Sequence, residues 1–174
     1  MARALADPYE RSVHLHTDDF WKFIRSGMVP PYLPEADEQN QSVVQVIRNA
    51  ALAYSRGRFV VVVDGVIGPW MLDHFRDIGA GSSGNAAGAG VDGFDGGGMR
   101  LHYVVLRPSK DETLRRAQAR KPPALVEEEP LVSMWTSFAE LAQRERHVSD
   151  TTRHDRAETL SVVRDAVESG QFVL

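Results

Sequence analysis

Three aspartates follow two short apolar segments of this chain, and their carboxylates could carry acid–base or metal chemistry. Asp18 and Asp19 come directly after residues 13–16, and Asp64 ends the valine run at residues 60–63. A carboxylate at the end of a strand can accept a proton from a substrate hydroxyl or hold a metal-bound water. Ligands collect at the carboxyl ends of strands in open α/β sheets, so we expect these side chains to converge on one crevice.

Each of these aspartates also has a structural interpretation. Asp18 or Asp19 could cap a turn at residues 20–24, and Asp64 could stabilise a turn at Gly65. Asp18 is favoured as a base because it comes first after the strand. For Asp64 the two interpretations stay open.

Predicted strands and helices alternate along the chain, which points to one α/β domain with a mostly parallel sheet. We expect Gly57 to end the second helix in the left-handed conformation, and the strand at residues 59–63 to be buried on both faces. Strands are predicted at residues 12–16, 59–63, 101–106 and 147–149, a short amphipathic turn at 19–26, and helices at 2–7, 41–56, 109–120, 131–145 and 156–169.

Composition narrows the function classes. The formal net charge of −4 argues against nucleic-acid and anionic-membrane partners, which need a concentrated basic surface. The chain has no cysteine, so disulfides, thiolate metal sites and cysteine nucleophiles are excluded. No signal peptide or long apolar run is recognisable, and we expect a cytoplasmic protein.

Two further patterns could bind phosphate or metal. Arg116 and Arg120 are four residues apart on one predicted helix face and could grip a polyphosphate, although a solvated basic face is the commoner explanation. His14 and His16 alternate on one strand and face the same side, but no third metal ligand is evident. The glycine-rich residues 79–98 contain no lysine, so we expect a flexible loop and not a phosphate cradle.

The chain resembles a known kinase family over most of its length. The similarity lies in residues 13–21 (Val-His-Leu-His-Thr-Asp-Asp-Phe-Trp), 27–34 and 60–70, and continues through residues 106–109, Arg116, Arg120 and 138–152. These segments resemble the P-loop small-molecule kinases and AAA-type predicted ATPases related to chloramphenicol phosphotransferase and gluconate kinase. The resemblance implies a three-layer fold, in which a parallel sheet is flanked by helices, with a lid-like region at about residues 115–130.

The same resemblance implies an ATP- and Mg²⁺-dependent phosphotransferase that acts on a hydroxyl of a small molecule. It makes Asp18 the base, and it places Asp64 near Mg²⁺. Arg116 and Arg120 become lid arginines on the phosphates, and the turn formed by Asp150, Thr151 and Thr152 lies near the adenine.

An acceptor pocket is expected beside Asp18. The loop at residues 27–34 contains three prolines and is predicted to be rigid, so its side chains are candidates for substrate contact. The predicted lining residues are Phe20, Trp21, Met28, Tyr32 and Trp70. The identity of the acceptor and the oligomeric state stay open.

The chain departs from the family at its start. The Gly-x-x-x-x-Gly-Lys-Ser/Thr loop and the strand before it are absent, and residues 1–6 resemble the end of the helix that such a loop opens. In the family that strand occupies the middle of the sheet, so its neighbours would lack backbone partners. We expect either a piece of a working kinase or a relative that has lost catalysis and serves as a binding or interaction protein.

Overall fold

The computed structural model describes residues 1–78, 99–121 and 124–174. The predicted glycine-rich loop at residues 79–98 lies outside the described residues. The helices are α1 (Ala2–Ala6), α2 (Thr17–Lys22), α3 (Asp37–Arg56), α4 (Lys110–Gln118), α5 (Glu128–Ser137) and α6 (Arg156–Ser169), with 3-10 helices at Pro34–Ala36, Pro69–Ile78 and Ala142–His147. The strands are β1 (Ser12–His16), β2 (Val60–Asp64), β3 (Val105–Leu106) and β4 (Val148–Ser149).

The described strands form two parallel pairs. β1 pairs with β2, and this register sets His16 opposite Asp64. β3 pairs with β4, with Val105 opposite Val148. The expectation of an α/β protein with parallel strands is confirmed. In the described ranges, however, the strands make two separate two-stranded sheets and not one continuous sheet.

Two predictions about strands were wrong: the burial of β2 and the length of the strand at residues 101–106. Val60 is 39% exposed and the rest of β2 is half-buried, because a two-stranded sheet leaves part of its surface uncovered. The predicted strand at 101–106 is reduced to β3. The residues before β3 pair with the C-terminal segment instead: the Tyr103 N–H donates to the Phe172 carbonyl.

The helix predictions were accurate where local signals are strong. α6 has the predicted bounds, since Asp155 and Glu158 form a reciprocal capping box at its start and Gly170 ends it at φ 73°. α3 begins four residues earlier than predicted. Gly57 is not left-handed: its φ is −76°, and the left-handed conformation falls on Arg58 at φ 62°.

The predicted helix at 131–145 is divided. α5 ends at Ser137, and a separate 3-10 helix follows at Ala142–His147. Arg107 Nη1 donates to the carbonyls of Phe138 and Ala139, at 2.9 and 3.0 Å. A side chain from another part of the fold therefore satisfies these two carbonyls, which allows α5 to end at Ser137.

The described core joins the two strand pairs. One cluster of buried side chains contains Leu72, Tyr103, Val105 and Leu141, and a second contains Val44 and Phe75. Ile67 packs against both clusters, and its carbonyl accepts a hydrogen bond of 2.9 Å from the Tyr103 hydroxyl. The segment after β2 therefore holds the two halves of the fold together.

Candidate functional site

Four polar side chains gather at the carboxyl end of the β1–β2 pair. His14 and His16 lie on the same side of β1, and the strand register brings Asp64 beside them. His14 Nε2 hydrogen-bonds one oxygen of Asp64, and His16 Nδ1 lies 3.4 Å from the other. His16 Nε2 is 3.7 Å from Asp18. We call His14, His16, Asp18 and Asp64 the strand-end cluster.

The start of α2 positions Asp18. The helix begins at Thr17 with His16 as its N-cap, so Asp18 and Asp19 lie in its first turn and neither is the cap that we considered. Acidic side chains in the first turn are stabilised by the positive end of the helix dipole. His16 lies near both Asp18 and Asp64, whereas Asp19 is the one of the three aspartates that lines the described cavity, so their convergence on one crevice stays a prediction.

A close contact fixes the turn after β2 against α2. Gly65 has φ 155°, a conformation that favours glycine, and a Cβ atom placed on it would lie 1.6 Å from Thr17 Oγ1. The Thr17 residue is 1% exposed. Because Asp64 precedes Gly65 and Asp18 follows Thr17, this close approach brings together the two backbone segments that carry the carboxylates.

A cavity of about 530 Å³ opens beside the strand-end cluster. Its walls come from α1, β1 and α2 and are mostly polar: Arg3, Ala6, Asp7, Ser12, His14, His16 and Asp19. Asp19 forms an ion pair of 2.7 Å with Lys22, and the hydrogen bond from Lys22 lowers the pKa of the Asp19 carboxyl. Its polar and charged walls are open to solvent, so their donors and acceptors are accessible to a small hydroxylated molecule.

The five predicted substrate residues lie elsewhere in the described structure. Trp21 donates a 2.9 Å hydrogen bond to Asn40, and Phe20 packs edge-on against Phe23. Trp70 packs on Phe138.

The other two predicted substrate residues, Met28 and Tyr32, are exposed in the proline-containing loop. None of the five lines the described cavity, whose walls come from α1, β1 and the first turn of α2. Their contact with substrate stays a prediction.

The carboxyl end of the β3–β4 pair gathers most of the predicted nucleotide residues. Arg116 Nη2 donates to the carbonyls of Thr151 and His154, at 2.9 and 3.0 Å, and Arg116 Nε bonds Glu112 at 2.5 Å. The Thr151 residue is buried. The Arg116 side chain thus ties α4 to the segment after β4.

The same network includes the loop before α4. Thr152 Oγ1 accepts from the Ser109 N–H at 2.8 Å, and the Thr152 N–H donates to Asp150 at the same distance. Arg120 lies beyond the end of α4 and is exposed. The structure brings together Arg116, Asp150, Thr151 and Thr152, and leaves Arg120 outside the network.

The histidines are the residues that sequence reasoning missed. We found no third ligand for His14 and His16 because Asp64 is distant in the chain. The structure corrects this: one ligand atom from each of His14, His16 and Asp64 lies within 4.8 Å of the others. A signal was present in the sequence, because the two predicted parallel strands end at His16 and Asp64. If their ends are aligned, these two residues lie side by side.

The cofactors predicted for this site can be compared with its donors. Both oxygens of Asp64 face imidazole nitrogens, whereas Mg²⁺ prefers an all-oxygen octahedral shell, so the donor set does not fit Mg²⁺. Arg116 would have to break its bonds to backbone carbonyls to reach the phosphates of ATP. Among the described residues, Arg120 is the exposed member of the predicted arginine pair.

Comparisons with protein families and with curated proteins produced no match to this chain. Within residues 1–78, 99–121 and 124–174, every helix is too short or too polar to cross a bilayer. Inferences about activity therefore depend on the geometry of the strand-end cluster and its cavity.

Proposed function

We propose that this chain is a phosphotransferase that moves a phosphoryl group from ATP to a hydroxyl of a small polar molecule. The observation that carries the proposal is the position of His16, which lines a polar cavity at the β1–β2 pair and lies 3.7 Å from Asp18 and 3.4 Å from Asp64. This is the position in which open α/β folds bind their ligands.

Asp18 acts as the general base. Its side chain is 67% exposed, so it is accessible to a substrate hydroxyl, and it contacts His16, which lines the cavity. The acceptor hydroxyl gives its proton to the Asp18 carboxylate as its oxygen bonds to phosphorus, and the bond from phosphorus to the leaving oxygen of the donor breaks. The fixed start of α2 holds the base in place, which lowers the entropic cost of reaching the reactive geometry.

One observation favours a second candidate, a non-catalytic binding protein. Arg116, the expected transition-state contact, is bonded to carbonyls of residues 151 and 154 and to Glu112. An arginine held in this way stabilises the fold. In this alternative the cavity binds a small molecule and no phosphoryl group is transferred.

Turnover of the purified chain with ATP, Mg²⁺ and a panel of sugars, nucleosides and hydroxylated antibiotics tests the first candidate. With any accepted substrate, Asp18→Asn should lower kcat by about 10²–10⁴-fold and leave KM nearly unchanged, because the amide keeps the shape but cannot accept the proton. Asp111→Asn is the matched control, since Asp111 also lies in the first turn of a helix, α4, and should retain full activity.

The outcomes separate the two candidates. An Asp18→Asn variant with undiminished kcat would overturn the assignment of the base. If calorimetry detects binding of a panel compound and no product forms in the presence of ATP, the binding protein is supported and the phosphotransferase is rejected.

A further inference from the structure

We infer that His14, His16 and Asp64 form a binding site for one divalent transition-metal cation of the Zn²⁺ class. Two imidazoles and one carboxylate are a common donor set for such ions, and they leave at least one coordination position open. The inference goes beyond the proposed phosphotransfer, since it concerns which ion the strand-end cluster binds and is tested by metal binding alone.

The distances between the ligand atoms suit one ion. One donor atom from each side chain lies within 4.8 Å of the other two. Bonds of about 2.0–2.2 Å to a shared ion require donor atoms to lie roughly 3–4 Å apart. Small rotations of the side chains, which are between 28% and 42% exposed, are sufficient to reach that spacing.

The backbone fixes the three ligands. His14 and His16 are two residues apart on β1, and His16 is opposite Asp64 in the hydrogen-bonded register with β2. The contact between Gly65 and Thr17 holds the end of β2 against α2. Ligands on paired strands keep their separation better than ligands on loops, so less entropy is lost when the ion binds.

Asp18 lies near the His16 nitrogen that does not face Asp64. His16 presents Nδ1 to Asp64, at 3.4 Å, and Nε2 to Asp18, at 3.7 Å. A histidine that binds a metal through one nitrogen commonly donates its other N–H to a carboxylate, which sets the ring orientation and strengthens the ligand. With His16 bound through Nδ1, the N–H of Nε2 points to Asp18.

Two of the three proposed ligands border the cavity. His14 and His16 form part of its wall, so an ion between them and Asp64 is reached from that side. One carboxylate and two neutral imidazoles leave a divalent ion with a net positive charge. A hydroxyl, carboxylate or phosphate oxygen of a molecule in the cavity can therefore bind to it as a further ligand.

Calorimetric titration of the metal-free chain with Zn²⁺ tests the site. We expect one site per chain in the unmodified protein. His14→Ala, His16→Ala and Asp64→Asn should each weaken Zn²⁺ binding by at least about 10-fold. His74→Ala is the control: His74 bonds Gln41 and Gln45 outside the cluster, and its loss should leave the affinity unchanged.

Two further measurements make the result unambiguous. The visible spectrum of the Co²⁺ complex should show imidazole coordination in the unmodified protein, so the test does not depend on variants that fold poorly. Mg²⁺ in large excess should not displace Zn²⁺. The inference is overturned if His74→Ala weakens binding as much as His14→Ala, if Co²⁺ retains the spectrum of the aqueous ion, or if Mg²⁺ competes on equal terms.

Discussion

The two parallel strand pairs end in different ways. At the end of β1–β2, the imidazoles of His14 and His16 border a cavity of about 530 Å³. At the end of β3–β4, Arg116 and Thr152 bond to backbone groups and to side chains of the same region. We refer to these as the open end and the closed end.

The difference shows which of the two strand-pair ends, the open end or the closed end, is available to bind a ligand. Backbone carbonyls after β4 are already satisfied by Arg116, so a ligand there would have to compete with intramolecular hydrogen bonds. At the open end the polar atoms of His16 and Asp18 approach each other at 3.7 Å, longer than a good hydrogen bond. A bound ion would replace the hydrogen bond between His14 and Asp64 with bonds to the metal, and the longer contacts of His16 leave room for that change.

The largest expected effect comes from breaking the open end. Gly65→Ala places a methyl group on Thr17 Oγ1 in a backbone conformation that disfavours side chains. We expect the free energy of unfolding to fall by about 2–4 kcal/mol, from overpacking and strain together. Urea denaturation measures this loss.

Gly27→Ala is the matched control for this variant. Gly27 has φ 73°, and nothing lies within 4 Å of an added Cβ. Only the backbone cost of about 1–2 kcal/mol applies to it. Equal losses for the two variants would show that the contact between Gly65 and Thr17 contributes nothing.

A smaller effect should come from breaking the closed end. Arg116→Ala removes the hydrogen bonds to the Thr151 and His154 carbonyls, and we expect a loss of about 1.5–3 kcal/mol in unfolding free energy. Arg115→Ala is the control, since Arg115 is exposed and bonds Glu112 alone among the described residues, so its loss should cost about 0–1 kcal/mol. An Arg116→Ala protein of unchanged stability that loses ATP binding would make Arg116 a phosphate contact.

The smallest effect is the pH dependence that the closed end contributes to stability. Hydrogen bonds from Arg115, and then from Arg116, lower the pKa of Glu112 to about 2. A folded-state pKa below the unfolded one stabilises the protein above the unfolded value of 4.5, and this stabilisation is lost as the pH falls toward 2. Hydrogen bonds from Arg107 and Thr152 lower the pKa of Glu145 and Asp150 in the same direction.

Urea denaturation at several pH values between about 5 and 2.5 measures this dependence. The stability of Glu112→Gln should fall less steeply with acid than that of the unmodified protein, because the variant has lost one of the carboxylates whose pKa is lowered. Glu129→Gln, in the first turn of α5, is a control that should keep the original slope. Identical slopes for all three proteins would contradict the assignment.

Local signals in the sequence predicted where the helices and strands occur. Contacts between segments that are distant in the chain decided where some of them end. α6 was predicted with its bounds because its start and stop depend on neighbours in the chain. The end of α5 depends on Arg107, which is 31 residues from the carbonyl that it bonds. No local pattern contains that contact, so the predicted helix was too long.

The candidate site shows the same division between local sequence signals and contacts that join distant segments. The position of Asp18 after a strand was readable from the sequence, and its approach to Asp64 followed from parallel pairing. His14 and His16 were seen to share a face, but the ligand that completes their set comes from β2. Arg116 was correctly placed on a helix, yet its hydrogen-bond partners could not be predicted, since they are carbonyls whose direction depends on the turn after β4.

The hydrogen bond between α6 and α1 has a consequence for the order in which the cavity forms. Arg164 Nη2 donates to the Ala4 carbonyl at 2.9 Å, across 160 positions of the chain. Contacts of such long sequence separation form late, because the chain must close a large loop first. α1 also packs against β1 and β2, which position the Arg3 and Ala6 wall of the cavity early, so the contact with α6 is expected to be the last constraint added to that wall.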